Sequence, residues 1–253
     1  MVQKLIIFVV FIFLGFSTYS QDSSFWFGYY QEDAGNNPED PTIGMVYLHL
    51  PGNGQFTGEL IFSYQGCTGG MQSGRVSGQV TGPSIMGNWS GSVDGVGVGG
   101  SYTGTLGADQ KHYTGTYTNS AGKQKIECEG LRYFVAAKGT WQVYGSRTST
   151  DMEIEVSNEP ENDVPFFSWT DYDDLDYYRF VVIDMECLEE EQDLEKCMMW
   201  NGEYVFSQVA YGEEYAELPQ AKRLVKGKSY LIHVLAFDED QKVMGSATKE
   251  FTF

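Results

Sequence analysis

Between Gly44 and Thr118 the chain alternates small or apolar residues with hydroxyl-bearing ones. In an extended strand from Ser73 to Gly82, Gly74, Val76, Gly78 and Val80 share one face while Ser73, Arg75, Ser77 and Gln79 share the other. Tyr102, Gly104 and Leu106 stand in the same way against Ser101, Thr103 and Thr105, and Tyr113, Gly115 and Tyr117 against Thr114, Thr116 and Thr118. The underlying phrase is a hydroxyl residue, Gly, any residue and usually an apolar one, starting at Thr57, Ser73, Ser77, Ser90, Thr103 and Thr114. With Ser73 and Ser77 on one strand, successive phrases lie 11 to 17 residues apart, room for one strand and one turn each. Gly107-Ala108-Asp109 and Asn119-Ser120-Ala121-Gly122 supply turn residues. The pattern predicts an antiparallel meander, closed as a barrel or folded as a sandwich, because parallel neighbours need crossovers of about a dozen residues. Glycines facing inward weaken a strand unless something covers them, and Trp89, Tyr102, Tyr113 and Tyr117 are the predicted cover.

Past residue 145 the pattern changes. Of the 35 acidic residues, 25 lie in this second portion, and the run Gly145-Ser146-Arg147-Thr148-Ser149-Thr150 marks the boundary. A strand is predicted at Met152–Val156, followed by a turn at Asn158-Glu159-Pro160. Phe167 and Trp169 then share a strand face, and Tyr178, Phe180 and Val182 alternate in the next strand. The fold class is therefore all-β in two portions, 21–144 and 145–253, behind an N-terminal address at 1–20.

Trp169, the alternating strand after it, and Leu224 six residues before Tyr230, which opens the alternating segment to Ala236, together resemble the fibronectin type III fold. The resemblance implies a β-sandwich in which Leu224 and Tyr230 form a tyrosine corner, serving as a spacer or contact module and naming no ligand. The chain departs from the family where Cys187 to Cys197 enclose an acidic, helix-favouring insert. In the first portion, Gly87-Asn88-Trp89-Ser90-Gly91 and the Thr-Gly-Thr-Tyr phrases resemble small ligand-binding barrels of the avidin type only in short stretches, and no binding residue is carried over.

The same alternation assigns an outer face to the sandwich. With Tyr230, Ile232, Val234 and Ala236 inward, Leu231, His233 and Leu235 point away; with Tyr178, Phe180 and Val182 inward, Val181 and Ile183 point away. Neighbouring strands would gather Val181, Ile183, Leu231, His233 and Leu235 into one candidate contact patch, and an apolar patch of this kind calls for a cover. The first portion, the insert or a separate protein could supply it.

Lys4 followed by the 12-residue apolar run Leu5–Phe16 has the layout of a secretory signal peptide and falls short of the roughly 20 residues that span a bilayer. Gln21 is the expected mature start, the destination secreted or periplasmic, with no stable membrane insertion after cleavage. An oxidising compartment makes the four cysteines disulfides. The portion boundary favours Cys67–Cys128 and Cys187–Cys197 over the other pairings. The three histidines, His49, His112 and His233, sit at no zinc-ligand spacing from these cysteines, so no metal is expected.

A net charge of -19 argues against nucleic-acid partners, which require clustered positive charge. Gly-x-Ser-x-Gly is absent from the sequence, and no phosphate-cradling glycine loop precedes a helix. No catalytic residue or cofactor is assigned. Asp171, Asp173, Asp174 and Asp176 form a carboxylate-rich loop without EF-hand spacing, read as a solvated acidic loop with calcium as the rival. Asn88-Trp89-Ser90 is a glycosylation sequon. The expected function is a secreted, non-enzymatic binding or adhesion protein with an unidentified protein or glycan ligand. The alternatives are a carbohydrate-active enzyme or accessory glycan-binding protein, and a secreted acidic inhibitor of a basic enzyme.

Overall fold

The computed structural model describes residues 24–33, 43–50, 52–62, 72–128, 131–145, 152–159, 164–191, 193–212, 220–240 and 242–253. In the first portion these form β1 (Ser24–Glu32), β2 (Ile43–Leu50), β3 (Gly54–Phe62), β4 (Gln72–Thr81), β5 (Ser84–Val93), β6 (Val96–Leu106), β7 (His112–Asn119), β8 (Gln124–Cys128), β9 (Leu131–Val135) and β10 (Lys138–Gly145). Each strand from β1 to β6 pairs antiparallel with the next, and β10 pairs with both β7 and β1, which closes an eight-stranded barrel. Closure leaves no free sheet edge. The β8–β9 hairpin is inserted between β7 and β10 and sends Ile126 and Val135 into the barrel core.

Barrel closure depends on how the glycines are covered. Gly104 and Gly115 face each other across β6 and β7, and the Trp141 ring lies over both where a Cβ would stand. Tyr102 covers the Gly78–Gly87 pair in the same manner, and Phe62 covers Gly74–Gly91. Tyr117 lies over Gly139. Two of the four predicted covering residues, Tyr102 and Tyr117, therefore sit on glycines, whereas Trp89 and Tyr113 fill the core beside other rings. Trp141 and Phe62, which the strand pattern does not single out, supply further cover, as do Tyr30 over Gly44 and Leu48 over Gly58.

The second portion contains β11 (Ile154–Glu159), β12 (Val164–Trp169), β13 (Leu175–Asp184), α1 (Met185–Glu191), α2 (Leu194–Cys197), β14 (Met198–Tyr204), β15 (Gln208–Ala210), β16 (Ser229–Asp238) and β17 (Val243–Thr252). A three-stranded sheet, β11-β12-β15, faces a four-stranded one, β14-β13-β16-β17. Trp169, Tyr178, Phe180, Trp200 and Tyr230 are buried in the core between them. The turn predicted at Asn158-Glu159 is instead strand: β11 runs on because Asn158 and Glu159 pair with Pro165 and Val164. The Tyr230 hydroxyl accepts a hydrogen bond from the Val225 amide at 2.8 Å, beside buried Leu224.

A third apolar cluster joins the portions. Strands β1 and β2 are apolar on both faces: Trp26, Tyr30, Val46 and Leu48 point into the barrel, and Phe25, Phe27, Met45 and Tyr47 point out. Those outer residues, with Ile61 of β3, pack against the outer face of the four-stranded sheet. Strands buried on both faces lose the alternation that marks half-wet ones.

Candidate functional site

Val181, Ile183, Leu231, His233 and Leu235 lie on one sheet face, with Val181 opposite His233 and Ile183 opposite Leu231. Each is at most 1% exposed. Their cover comes from within the chain: Phe25, Phe27, Met45, Tyr47 and Ile61 of the barrel, Leu188 and Leu194 from the insert, and Met198 at the start of β14. Burial of a side chain such as Leu or Ile contributes roughly 1.5–3 kcal/mol, so this face fastens the two portions and is closed to an outside partner.

The insert is itself held at several points. A disulfide joins Cys187 and Cys197. Asp184 accepts from the Cys187 amide at 3.1 Å at the start of α1, and Asp193 caps α2 through the Lys196 amide at 3.0 Å. Lys228 bridges Asp184 and Glu186. From the barrel, the Glu59 carboxylate accepts the Leu194 amide. The proposed Cys67–Cys128 pairing falls outside the described residues, as does the N-terminal segment read as a signal peptide.

The three histidines occupy separate sites. His233 shares a hydrogen bond of 3.2 Å between Nε2 and the Ser246 hydroxyl, its Nδ1 has no partner, and burial pushes its pKa down to about 3. His49 stacks on Phe25 at 4.6 Å; burial lowers its pKa, against an opposing pull from Glu189 of the insert. His112 pairs with Asp109 at 2.9 Å. Among the described residues no group of three His, Cys, Asp or Glu side chains is placed to hold a metal ion. No helix there is long and apolar enough to cross a membrane.

Inside the barrel, Tyr30, Phe62, Trp89, Tyr117 and Trp141 line a cavity of about 40 Å³. Trp89, Tyr102 and Trp141 donate to the carbonyl oxygens of Thr118, Ser77 and Thr103 at 3.1, 3.3 and 3.2 Å. The Tyr117 hydroxyl is buried without a partner, and Glu32 accepts the Ala136 amide at 3.1 Å at the same end. Ligand pockets commonly measure roughly 300–1,000 Å³. This barrel is filled by its own rings.

The outer wall offers more room. A groove of about 890 Å³ crosses β2 to β6, where Gln55, Gln79, Met86 and Thr103 form one cross-strand row and Thr57, Ser77, Asn88 and Ser101 the next. Apart from His49 at its rim, the lining is hydroxyl, amide, aromatic and glycine, with Met86 54% exposed at its centre. Such groups donate and accept hydrogen bonds without charge. Phe25, Phe27, Met45, Tyr47 and this groove escaped the sequence reading. The former were signalled by an unbroken apolar run, the latter by the polar half of the strand alternation.

Compared with models of known protein families and with curated proteins, the chain matches none.

Proposed function

We propose that this is an exported, non-enzymatic binding protein in which a closed barrel is fastened to a fibronectin type III-like sandwich and meets its ligand through the barrel's outer wall. The sandwich reading is supported by the sheet order, the buried Trp169 and the Val225–Tyr230 hydrogen bond next to Leu224. The Cys187–Cys197 bridge supports an oxidising destination. An apolar interior and a hydroxyl-rich outer wall are the reverse of a membrane barrel, which supports a water-borne protein.

One observation carries the binding role: in a chain of net charge -19, the described residues lining the β2–β6 groove include no carboxylate and no Lys or Arg. A neutral, polar ligand meets no desolvated charge there. The groove also favours the accessory glycan-binding reading, because Met86 offers an apolar spot among hydroxyls and amides, suited to the mixed faces of a sugar ring. The test is a glycan array together with a pull-down from the native secretions, run with the mature protein and with Asn88→Arg. Loss of the retained glycan or protein in the variant supports the reading. Retention by both locates binding elsewhere.

A further inference from the structure

We infer that a second groove, at the open edge of the three-stranded sheet, receives an arginine side chain of a partner protein. It lies between the turn that joins β14 to β15 and the loop after β12, and measures about 1090 Å³. The inference does not rest on the barrel groove.

The turn carries Val205 and Phe206 at its tip, 52% and 54% exposed. Adjacent large apolar residues at a loop tip lose water contacts only when something docks on them. The Phe206 ring is held edge-on against Tyr204, with centroids 5.3 Å apart, so one ring face is presented in a fixed direction. Asp171 lines the same groove. Its carboxylate lies 3.5 Å from the Tyr178 hydroxyl, which donates to the Thr170 carbonyl at 2.8 Å, and the Trp169 amide donates to the Ser207 carbonyl at 2.9 Å, pinning the two loops together.

Among the described lining residues Asp171 is the charged one; no Lys or Arg lines the groove, and Ser207 and Gln208 add neutral hydrogen-bonding groups. The groove is thus negative and aromatic at once, in a portion that holds 25 of the chain's 35 acidic residues. Such a field draws cations toward it. A guanidinium suits both kinds of group, because its plane stacks on a ring while its fork of N–H donors meets a carboxylate two at a time. A lysine ammonium can do only the second well.

The test is a titration of the mature, disulfide-intact protein with an acetylated and amidated Gly-Arg-Gly peptide, followed by amide chemical shifts. Saturable shifts are expected around Asp171, Phe206 and Gln208. The citrulline peptide, and the variants Asp171→Asn and Phe206→Ala, should each weaken binding by about tenfold. Asp240→Asn removes the same charge from an exposed turn and should leave binding unchanged, as should Asn88→Arg in the barrel groove. Phe206 is exposed, and an unchanged spectrum outside the groove shows that its variant is folded. Equal binding of arginine and citrulline peptides, equal effects of Asp171→Asn and Asp240→Asn, equal binding of a lysine peptide, or shifts scattered over the acidic surface would each overturn the inference. So would saturation of this groove by maltohexaose without any response to arginine.

Discussion

The imidazole of His233, in the middle of β16, packs against the ring of Phe27 on β1 with their centroids 5.9 Å apart. This contact sits where the outer face of the sandwich meets the outer face of the barrel, and it places a titratable group inside the joint.

Acid should loosen that joint. His233 is neutral when buried, with a pKa near 3 against an ordinary 6.5. Above pH 6.5 neither the folded nor the unfolded state binds the proton; between 6.5 and about 3 only the unfolded state does. Stability from this residue is complete above 6.5 and falls as pH drops, by about 1.4 kcal/mol per pH unit. Denaturation midpoints measured from pH 7 to 4 should decline less steeply in His233→Gln, which removes the titration and keeps a partner for Ser246. Equal slopes would show that His233 does not titrate on unfolding.

The apolar joint can be broken directly. Leu231→Lys or Leu235→Lys places an unpaired charge at a fully buried position, at a cost of at least ~3 kcal/mol. Limited proteolysis should then cut between barrel and sandwich faster than in the wild type. Unchanged stability together with unchanged cleavage would contradict the joint.

Removing the sulfur bridge is a milder change. For a loop with a sequence separation of 10, Cys187→Ala with Cys197→Ala should cost about 3 kcal/mol. Hydrogen exchange should rise in α1 and α2 while amides of β5 and β6, remote from the insert, keep their protection. Faster exchange throughout the barrel would mean that the bridge matters far beyond the insert.

Buried tyrosines should divide into two classes. The hydroxyls of Tyr117 and Tyr47 have no partner, so Tyr117→Phe and Tyr47→Phe should be neutral or slightly stabilising. Tyr230 accepts from Val225, and Tyr178 donates to the Thr170 carbonyl at 2.8 Å. Their Phe variants should each lose about 1–2 kcal/mol in urea denaturation.

How much of this was legible in the sequence depended on where each contact is made. Strands such as β4, β6 and β7 are wet on one face, so Thr and Ser alternate with Val, Tyr and Gly, and the period of two is plain. Barrel closure was not legible, because it rests on β1 pairing with β10, partners more than a hundred residues apart whose register no local pattern records. Trp141 over Gly104 and Gly115 is a cross-strand relationship of the same kind. In β13 and β16 the alternation separates two apolar sets, one against Trp169 and Trp200 and the other against the barrel. What covers the second set could be read only once Phe25, Phe27, Met45 and Tyr47 were seen to point outward.

Joined through His233, Leu231 and Leu235, barrel and sandwich should move as one body. Backbone 15N relaxation of the mature protein measures this most directly. Amides of β4 to β7 and amides of β13 and β16 should report a single rotational correlation time, that of the whole chain. Two shorter and different times, one for each portion, would contradict it.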